Sequence, residues 1–346
     1  MAAPLPARDL EQVLEQTRSL WPELRGERIF LTGGTGFFGC WLVESFLHAN
    51  RALRLGAELT VLSRDPSAFL QRCPHLKNDP ALRMVQGDVR DFTAPEGSFA
   101  AVIHAATESS SSPAPRALFE TIVHGTECVL DFAAHCGAQR FLLTSSGAVY
   151  GTQPESIVAV EESFSSAPDP VSAGSVYGEA KRAAELLCRL NVEGAAMVCT
   201  IARCFSFVGP HLPLDRHFAV GNFIGDALAG RPIHISSDGR PVRSYLYAAD
   251  LATWLWTILL RAPALTPIHV GSEEALSLAE LAERVTRVLG ATAGITVAQR
   301  PDPSSSVPRY VPSTRRAEEL LGLRATVPLE EAIRRTAAWY RAQRQG

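Results

Sequence analysis

The stretch "RIFLTGGTGFFGCWLVESFL" constrains this chain more than any other. A short apolar segment runs into glycines and then into large apolar residues at helical spacing. Gly33, Gly36 and Gly39 form a GxxGxxG pattern at that junction. In a strand–turn–helix unit the first glycine permits a tight turn and the second lets the backbone approach a pyrophosphate. The third lets the helix pack close to the sheet. The helix N-terminus then meets the negative charge. This predicts a dinucleotide cradle at Gly33, Thr35, Gly36, Phe37, Phe38 and Gly39.

The same rhythm continues. "AELTVLSR", "LRMVQGDV", "AAVIHAAT", "RFLLTSSGAVYG" and "AAMVCTIARCFSFVG" read as strands. "FETIVHGTECVLDFAAHCG" and "VYGEAKRAAELLCRLN" read as helices, and "ESSSSPAP" as a polar loop. Strands alternating with helices of this length predict an α/β fold with a parallel sheet covered on both faces. Residues 7–20 predict a short helix ahead of the first strand, and the rhythm loosens after Gly209. The expected organisation is a helical extension over 1–24, a dinucleotide-binding region with the catalytic residues over 25–209, and a mainly substrate-binding lobe over 210–346. Some segments of that lobe are expected to return to the main sheet.

Composition narrows the partners. With 46% hydrophobic and 20% charged residues the chain can build a sizeable core. A net charge of −3 offers no general nucleic-acid or anionic-membrane surface. Seven scattered cysteines without a CxxC suit reduced, packed thiols. The N-terminus lacks a basic segment followed by an apolar run. "LATWLWTILLRAP" is too short to span a membrane and reads as a buried helix. A cytoplasmic protein without nucleic-acid or membrane partners is the expectation.

The second strand ends Ser63-Arg64-Asp65. An acidic side chain there favours the free ribose of NAD. Ser63 and Arg64 can instead serve a 2′-phosphate, which leans the expectation towards NADP over NAD. Asp88 and Val89 suit the adenine end, with a helix cap as the alternative for Asp88. Ala105 and Ala106, at the end of the fourth strand, are expected against the cofactor.

A second constellation lies at "TSSGAVYG" and "SVYGEAKRAAE". On a helix Tyr177 and Lys181 are i and i+4 and share a face. A free tyrosine, with a pKa of about 10, is a poor base at neutral pH, and a nearby ammonium lowers that value. The lysine can reach both the tyrosine oxygen and a cofactor ribose. A serine at a strand end can hold a substrate hydroxyl or carbonyl oxygen. Together such groups handle a proton while a nicotinamide takes or returns hydride.

These stretches resemble the extended short-chain dehydrogenase/reductases, in particular their nucleotide-sugar epimerase/dehydratase group. "TGGTGFFG", "GDVRD", "VIHAAT", "LTSSGAVYG", "YGEAK", "ARCFSFVGP" and "RSYLYAADLA" carry the resemblance from Arg28 onward. It implies a Rossmann-type doubly wound parallel sheet with a smaller C-terminal substrate lobe. It implies catalytic Ser146, Tyr177 and Lys181, with the last two also touching cofactor. It implies a nucleotide-linked sugar as substrate, with Arg243 gripping the diphosphate; the plain alternative for Arg243 is a salt bridge, with Asp250 as one candidate. A homodimer through the helices at 119–135 and 177–190 is also implied.

The chain departs from the group's pattern in several places. Sugar 4,6-dehydratases carry Asp-Glu directly after the catalytic threonine, whereas Gly147 and Ala148 stand here. Neither can move a proton, so standard 4,6-dehydration is not expected. Ile122 and Ser206 stand where the group usually has asparagines. Thr107, Ser206, His211, Asn222, Arg243 and Tyr310 are the substrate-binding candidates, and His217 is a further contact candidate. Tyr310 and Arg316 are expected at the nucleotide end, with a solvated helix start as the alternative for Arg316. Glu162 is expected either to cap a loop or to face the sugar. Glu179 suits surface exposure, and His104 a structural role. No ligand spacing points to a metal. The expected chemistry is transient oxidation at a sugar carbinol carbon and 4-epimerisation. The alternatives are non-standard dehydration, decarboxylation or net reduction. A nonenzymatic dinucleotide-binding regulator is the competing class.

Overall fold

A computed structural model describes residues 2–107, 114–192, 197–216, 218–302 and 304–345. His217 and most of the "ESSSSPAP" loop lie outside the described residues. The chain opens with α1 (Ala7–Thr17) and a single 3₁₀ turn, then enters β1 (Arg28–Thr32). There follow α2 (Phe37–Leu53), β2 (Glu58–Ser63), α3 (Pro66–Arg72), β3 (Leu82–Gln86), β4 (Ala101–His104), α4 (Pro115–His135), β5 (Arg140–Ser146), α5 (Val176–Asn191) and β6 (Val198–Cys204). Short strands then interleave with helices: β7 (Phe207–Val208), α6 (Ala219–Leu228), β8 (Ile233–Ile235), β9 (Val242–Arg243), β10 (Leu246–Tyr247), α7 (Ala248–Arg261), β11 (Pro267–Val270), β12 (Leu276–Ser277) and α8 (Leu278–Leu289). The chain finishes with β13 (Ile295–Val297), β14 (Arg309–Tyr310), α9 (Arg315–Leu321) and α10 (Leu329–Gln345).

Seven strands form one sheet in the order β11-β6-β5-β4-β1-β2-β3, each pair parallel. The order reverses between β1 and β4. In an open parallel sheet, ligands bind at the carboxyl ends of the strands at such a switch point. The period-2 alternation of each strand feeds both faces. Ile29 and Leu31 join a core with Phe46 of α2 and Trp254 of α7, while Phe30 joins Val129 of α4 and Ala184 of α5 on the other side. This is the expected doubly wound α/β sheet. The apolar "LATWLWTILL" run is α7, buried from Ala248 to Leu260. Among the described residues no helix is long and apolar enough to cross a membrane. The cysteines carry free thiols, and all but Cys128 are buried.

A second core gathers α6, α8 and α10 with Ile233, Ile235 and Tyr247. It brings β9 and β14 alongside each other, with Tyr310 in register with Arg243. β11 returns from this late part of the chain to the edge of the large sheet, against β6.

Candidate active site

A cavity of about 1630 Å³ runs across the carboxyl ends of β1, β2, β4, β5 and β6 and continues between the sheet and the β9–β14 pair. Its floor at one end is the glycine turn. Gly33 sits at φ +74, and a Cβ there would lie 2.4 Å from the Ala105 carbonyl. A Cβ on Gly39 would lie 2.2 Å from the Gly33 oxygen, so this glycine brings α2 against the turn. A Cβ on Gly36 would meet nothing nearer than 3.5 Å, and Gly36 is the N-cap of α2. The turn is therefore shaped by its glycines into a cradle at a helix N-terminus, which fits a dinucleotide pyrophosphate.

Thr35, Phe37, Phe38, Ser63, Arg64, Asp88, Val89, Ala105 and Ala106 line the same cavity. Asp65 is turned away: its carboxylate caps α3 by accepting from the Ala68 N–H at 2.9 Å. Asp88 is neither free nor a helix cap. It accepts two bonds from the Arg90 guanidinium, at 2.8 and 3.0 Å, which hold its carboxyl down at about 2. His104 has the structural role expected of it. Its ring nitrogens meet the hydroxyls of Thr32 at 2.8 Å and Thr126 at 3.1 Å, and burial drops its pKa to about 3.

Ser146, Tyr177 and Lys181 line the middle of the cavity. Ser146 ends β5, and its hydroxyl accepts from the Ala148 N–H at 3.1 Å, starting a 3₁₀ turn. Tyr177 and Lys181 sit in the first turns of α5, and the ammonium lies 5.9 Å from the tyrosine ring centroid. The ammonium donates to the Thr144 carbonyl at 2.8 Å. One expectation is corrected here: the ammonium does not lower the tyrosine pKa in this arrangement. Burial pushes the phenol up to about 12, against a smaller pull from the Ser146 hydroxyl, and it pushes Lys181 down to about 8. Two desolvated groups each resist charging.

The substrate candidates divide. Thr107, Ser206, Asn222, Arg243 and Tyr310 line the cavity. Arg243 has no carboxylate partner among the described residues. Asp250 is committed elsewhere, accepting from the Thr326 and Val327 N–H groups. The Arg243 guanidinium donates to the Val242 carbonyl at 2.9 Å and lies over the Tyr310 ring at 5.7 Å. Burial lowers its pKa. His211 is a correction: it does not line the cavity. At φ +68 its ring is turned against Trp339, 4.6 Å between centroids, and towards Glu44 at 3.6 Å. Arg316 does not line the cavity; it donates to the Pro267 carbonyl and faces Glu162. Tyr310 lines the cavity beside Arg243, and its hydroxyl lies 3.1 Å from Ser146 Oγ. Glu162 does not line the cavity and accepts from the His269 N–H at 2.9 Å.

Sequence reasoning missed the buried network behind the site. Arg203 of β6 makes a two-pronged pair with Glu185 of α5, at 2.9 and 2.6 Å. Glu185 also accepts from Ser145 at 2.5 Å, and Arg203 donates to Tyr150, which meets His269 at 2.7 Å. The available signal was spacing: Glu185 falls one turn after Lys181 on the same helix face. Also missed was Phe205, whose ring lies 2.6 Å from where a Cβ on Gly147 would stand; the Tyr310 hydroxyl is 2.9 Å from that point. Gly147 is thus a packing requirement as well as a missing acid. Among the described residues no group of three His, Cys, Asp or Glu could hold a metal.

A glycine cradle at a topological switch point, with a Ser–Tyr–Lys trio facing it, defines a nicotinamide-dependent Rossmann-type enzyme. The chain belongs to the NAD dependent epimerase/dehydratase family, whose model matches residues 29–271. It is 30% identical over 312 residues to UDP-glucuronic acid decarboxylase 2 of Arabidopsis thaliana, covering 89% of this chain and 67% of that one. UDP-glucuronic acid decarboxylase 1 of the same plant is 29% identical, covering 91% and 70%. Among solved structures, DesIV, a dTDP-glucose 4,6-dehydratase from Streptomyces venezuelae with NAD and TYD bound, is 27% identical with a TM-score of 0.78. That match covers 92% of this chain and 98% of DesIV. The protein is an NAD(P)-dependent enzyme of the nucleotide-sugar epimerase/dehydratase type.

Proposed function

We propose that the protein removes CO₂ from a nucleotide-linked uronic acid after oxidising its C4 hydroxyl. When bound, the nicotinamide ring supplies a reversible hydride acceptor. Ser146 holds the C4 oxygen. Tyr177, once its buried phenol has given up its own proton beside the Lys181 ammonium, takes the hydroxyl proton and returns it when the ketone is reduced again. Lys181 supplies the adjacent positive charge, and Arg243 grips the diphosphate through its planar fork.

Gly147 and Ala148 carry the choice of reaction. Eliminating water requires a base at C5 and an acid at the C6 hydroxyl, and these two positions supply neither. A C4 ketone makes the C6 carboxylate of a uronic acid a β-keto acid, which loses CO₂ without an added base. 4-Epimerisation would use the same trio; both curated relatives described above are decarboxylases, and this favours CO₂ loss. The test is product mass after incubation with UDP-, GDP-, CDP- and dTDP-linked hexoses and uronic acids. The reading requires a pentose product from a uronic acid and no loss of water from any hexose.

Arg64 lines the cavity while Asp65 caps α3, which supports a preference for NADP; tighter binding of NAD in a titration would refute it. A homodimer through α4 and α5 is supported by exposed Phe119, Leu186 and Leu190. Replacing both leucines with glutamate is expected to yield monomers by sedimentation; an unchanged sedimentation coefficient would contradict this pairing.

A further inference from the structure

We propose that Tyr310 is the proton donor to C5, the sugar carbon that loses CO₂; this rests on the decarboxylation reading above. Ser146 Oγ marks the place of the C4 oxygen, and the Tyr310 hydroxyl lies 3.1 Å from it. A C4 oxygen hydrogen-bonded to Ser146 Oγ therefore shares that hydroxyl with Tyr310, which aims the Tyr310 O–H towards the neighbouring C5. The Tyr310 hydroxyl occupies the side of Ser146 where the 147 side chain would stand: a Cβ on Gly147 would come within 2.9 Å of it. Tyr310 arrives on β14, from the other end of the chain, and the Phe205 ring lies tilted against it at 4.7 Å between centroids. The Cys204 carbonyl accepts from the same hydroxyl at 3.3 Å. The surroundings keep this phenol protonated. Burial raises its pKa, and no base other than the Ser146 hydroxyl and the Cys204 carbonyl contacts it among the described residues. A phenol held neutral serves as an acid towards a strongly basic carbon.

The step balances without an added oxidant. The C5–C6 bond breaks, CO₂ leaves, and its electron pair passes into the C4–C5 bond as the C4 oxygen becomes an enolate. The Tyr310 O–H bond then breaks, a C5–H bond forms, and the C4 ketone is restored. The Tyr310 oxygen recovers a proton from solvent through the open cavity. One solvent proton is consumed in each turnover, and Tyr177 keeps its own proton for the C4 oxygen.

The experiment uses the full-length protein with UDP-glucuronic acid in D₂O, comparing wild type with Tyr310→Phe. Wild type is expected to place one deuterium at C5 of the pentose in a single configuration, read by NMR. Tyr310→Phe is expected to release CO₂ in the first turnover at close to the wild-type rate, which shows a folded, oxidising enzyme. Its pentose is then expected to form ~10²-fold more slowly, with deuterium in both C5 positions and the ketopentose visible by mass spectrometry. A variant that makes stereochemically pure product at the wild-type rate overturns the proposal while leaving decarboxylation intact. So does a variant that loses the CO₂ burst together with cofactor binding, since Tyr310 is then structural. A wild type that releases no CO₂ removes the decarboxylation reading and this one together.

Discussion

Tyr177 and Arg243 carry the heaviest demands at the scale of single residues. Tyr177→Phe keeps the ring and removes the hydroxyl, so turnover is expected to fall by ~10²–10⁴ while cofactor binding is retained. Steady-state rates and a cofactor titration check this, and unchanged turnover would refute the assignment. Arg243→Ala removes a half-buried guanidinium that has no carboxylate to leave behind among the described residues. A charged hydrogen bond is worth about 1.5–3 kcal/mol, so KM for the nucleotide sugar is expected to rise about ten- to a hundredfold, with kcat little changed. Most of these positions were legible in the sequence, because a tyrosine and lysine four apart, or glycines three apart, fix their own local geometry. The pKa of Tyr177 was not. Spacing placed the lysine beside it, but burial decides the titration of both groups, and burial depends on strands and helices far away in sequence. His211 failed for a related reason. Its motif position is near the substrate, but its backbone at φ +68 aims the ring at Trp339.

At the scale of elements, the β1–α2 turn and the β5–α5–β6 packing hold the site. Gly39→Ala would drive a methyl group into the Gly33 carbonyl, 2.2 Å away. Overpacking of this kind costs about 1–3 kcal/mol. The turn must open to relieve it, so cofactor affinity is expected to fall with the melting temperature. Glu185→Gln leaves the Arg203 guanidinium, 14% exposed, without its counter-charge. Breaking a buried pair from one side costs about 3 kcal/mol. Denaturant unfolding measures it, and Arg203→Met added to Glu185→Gln is expected to recover part of the loss. The helix and strand periods were clear in the sequence, and α2 and α5 start and stop where their apolar spacing does. The β9–β14 pair was not visible. Each strand is two residues long, and their pairing depends on a lobe assembled from distant segments.

For the whole molecule, two buried neutral histidines tie stability to pH. Burial lowers both His104 and His269 to about 3, against about 6.5 in an unfolded chain. Between those values the unfolded state binds more protons than the folded one. Their contribution is therefore complete above about pH 6.5 and is lost as pH falls towards 3, at up to about 1.4 kcal/mol per pH unit for each ring. Unfolding measured from pH 7 to 4 is expected to show this slope, and His104→Gln to reduce it. The sheet order places the cradle and the Ser–Tyr–Lys trio along one cavity, and the β9–β14 pair brings Arg243 and Tyr310 to its other wall. Only the first two were written in contiguous motifs, which is why the sequence pointed to oxidation of the sugar more firmly than to the fate of the resulting ketone. The most direct test supplies the purified protein with UDP-glucuronic acid labelled with ¹³C at C6 and tracks both label and product mass. Labelled CO₂ and an unlabelled nucleotide-linked pentose are expected. Retention of the label in a hexuronic acid of unchanged mass and inverted C4 configuration would contradict it.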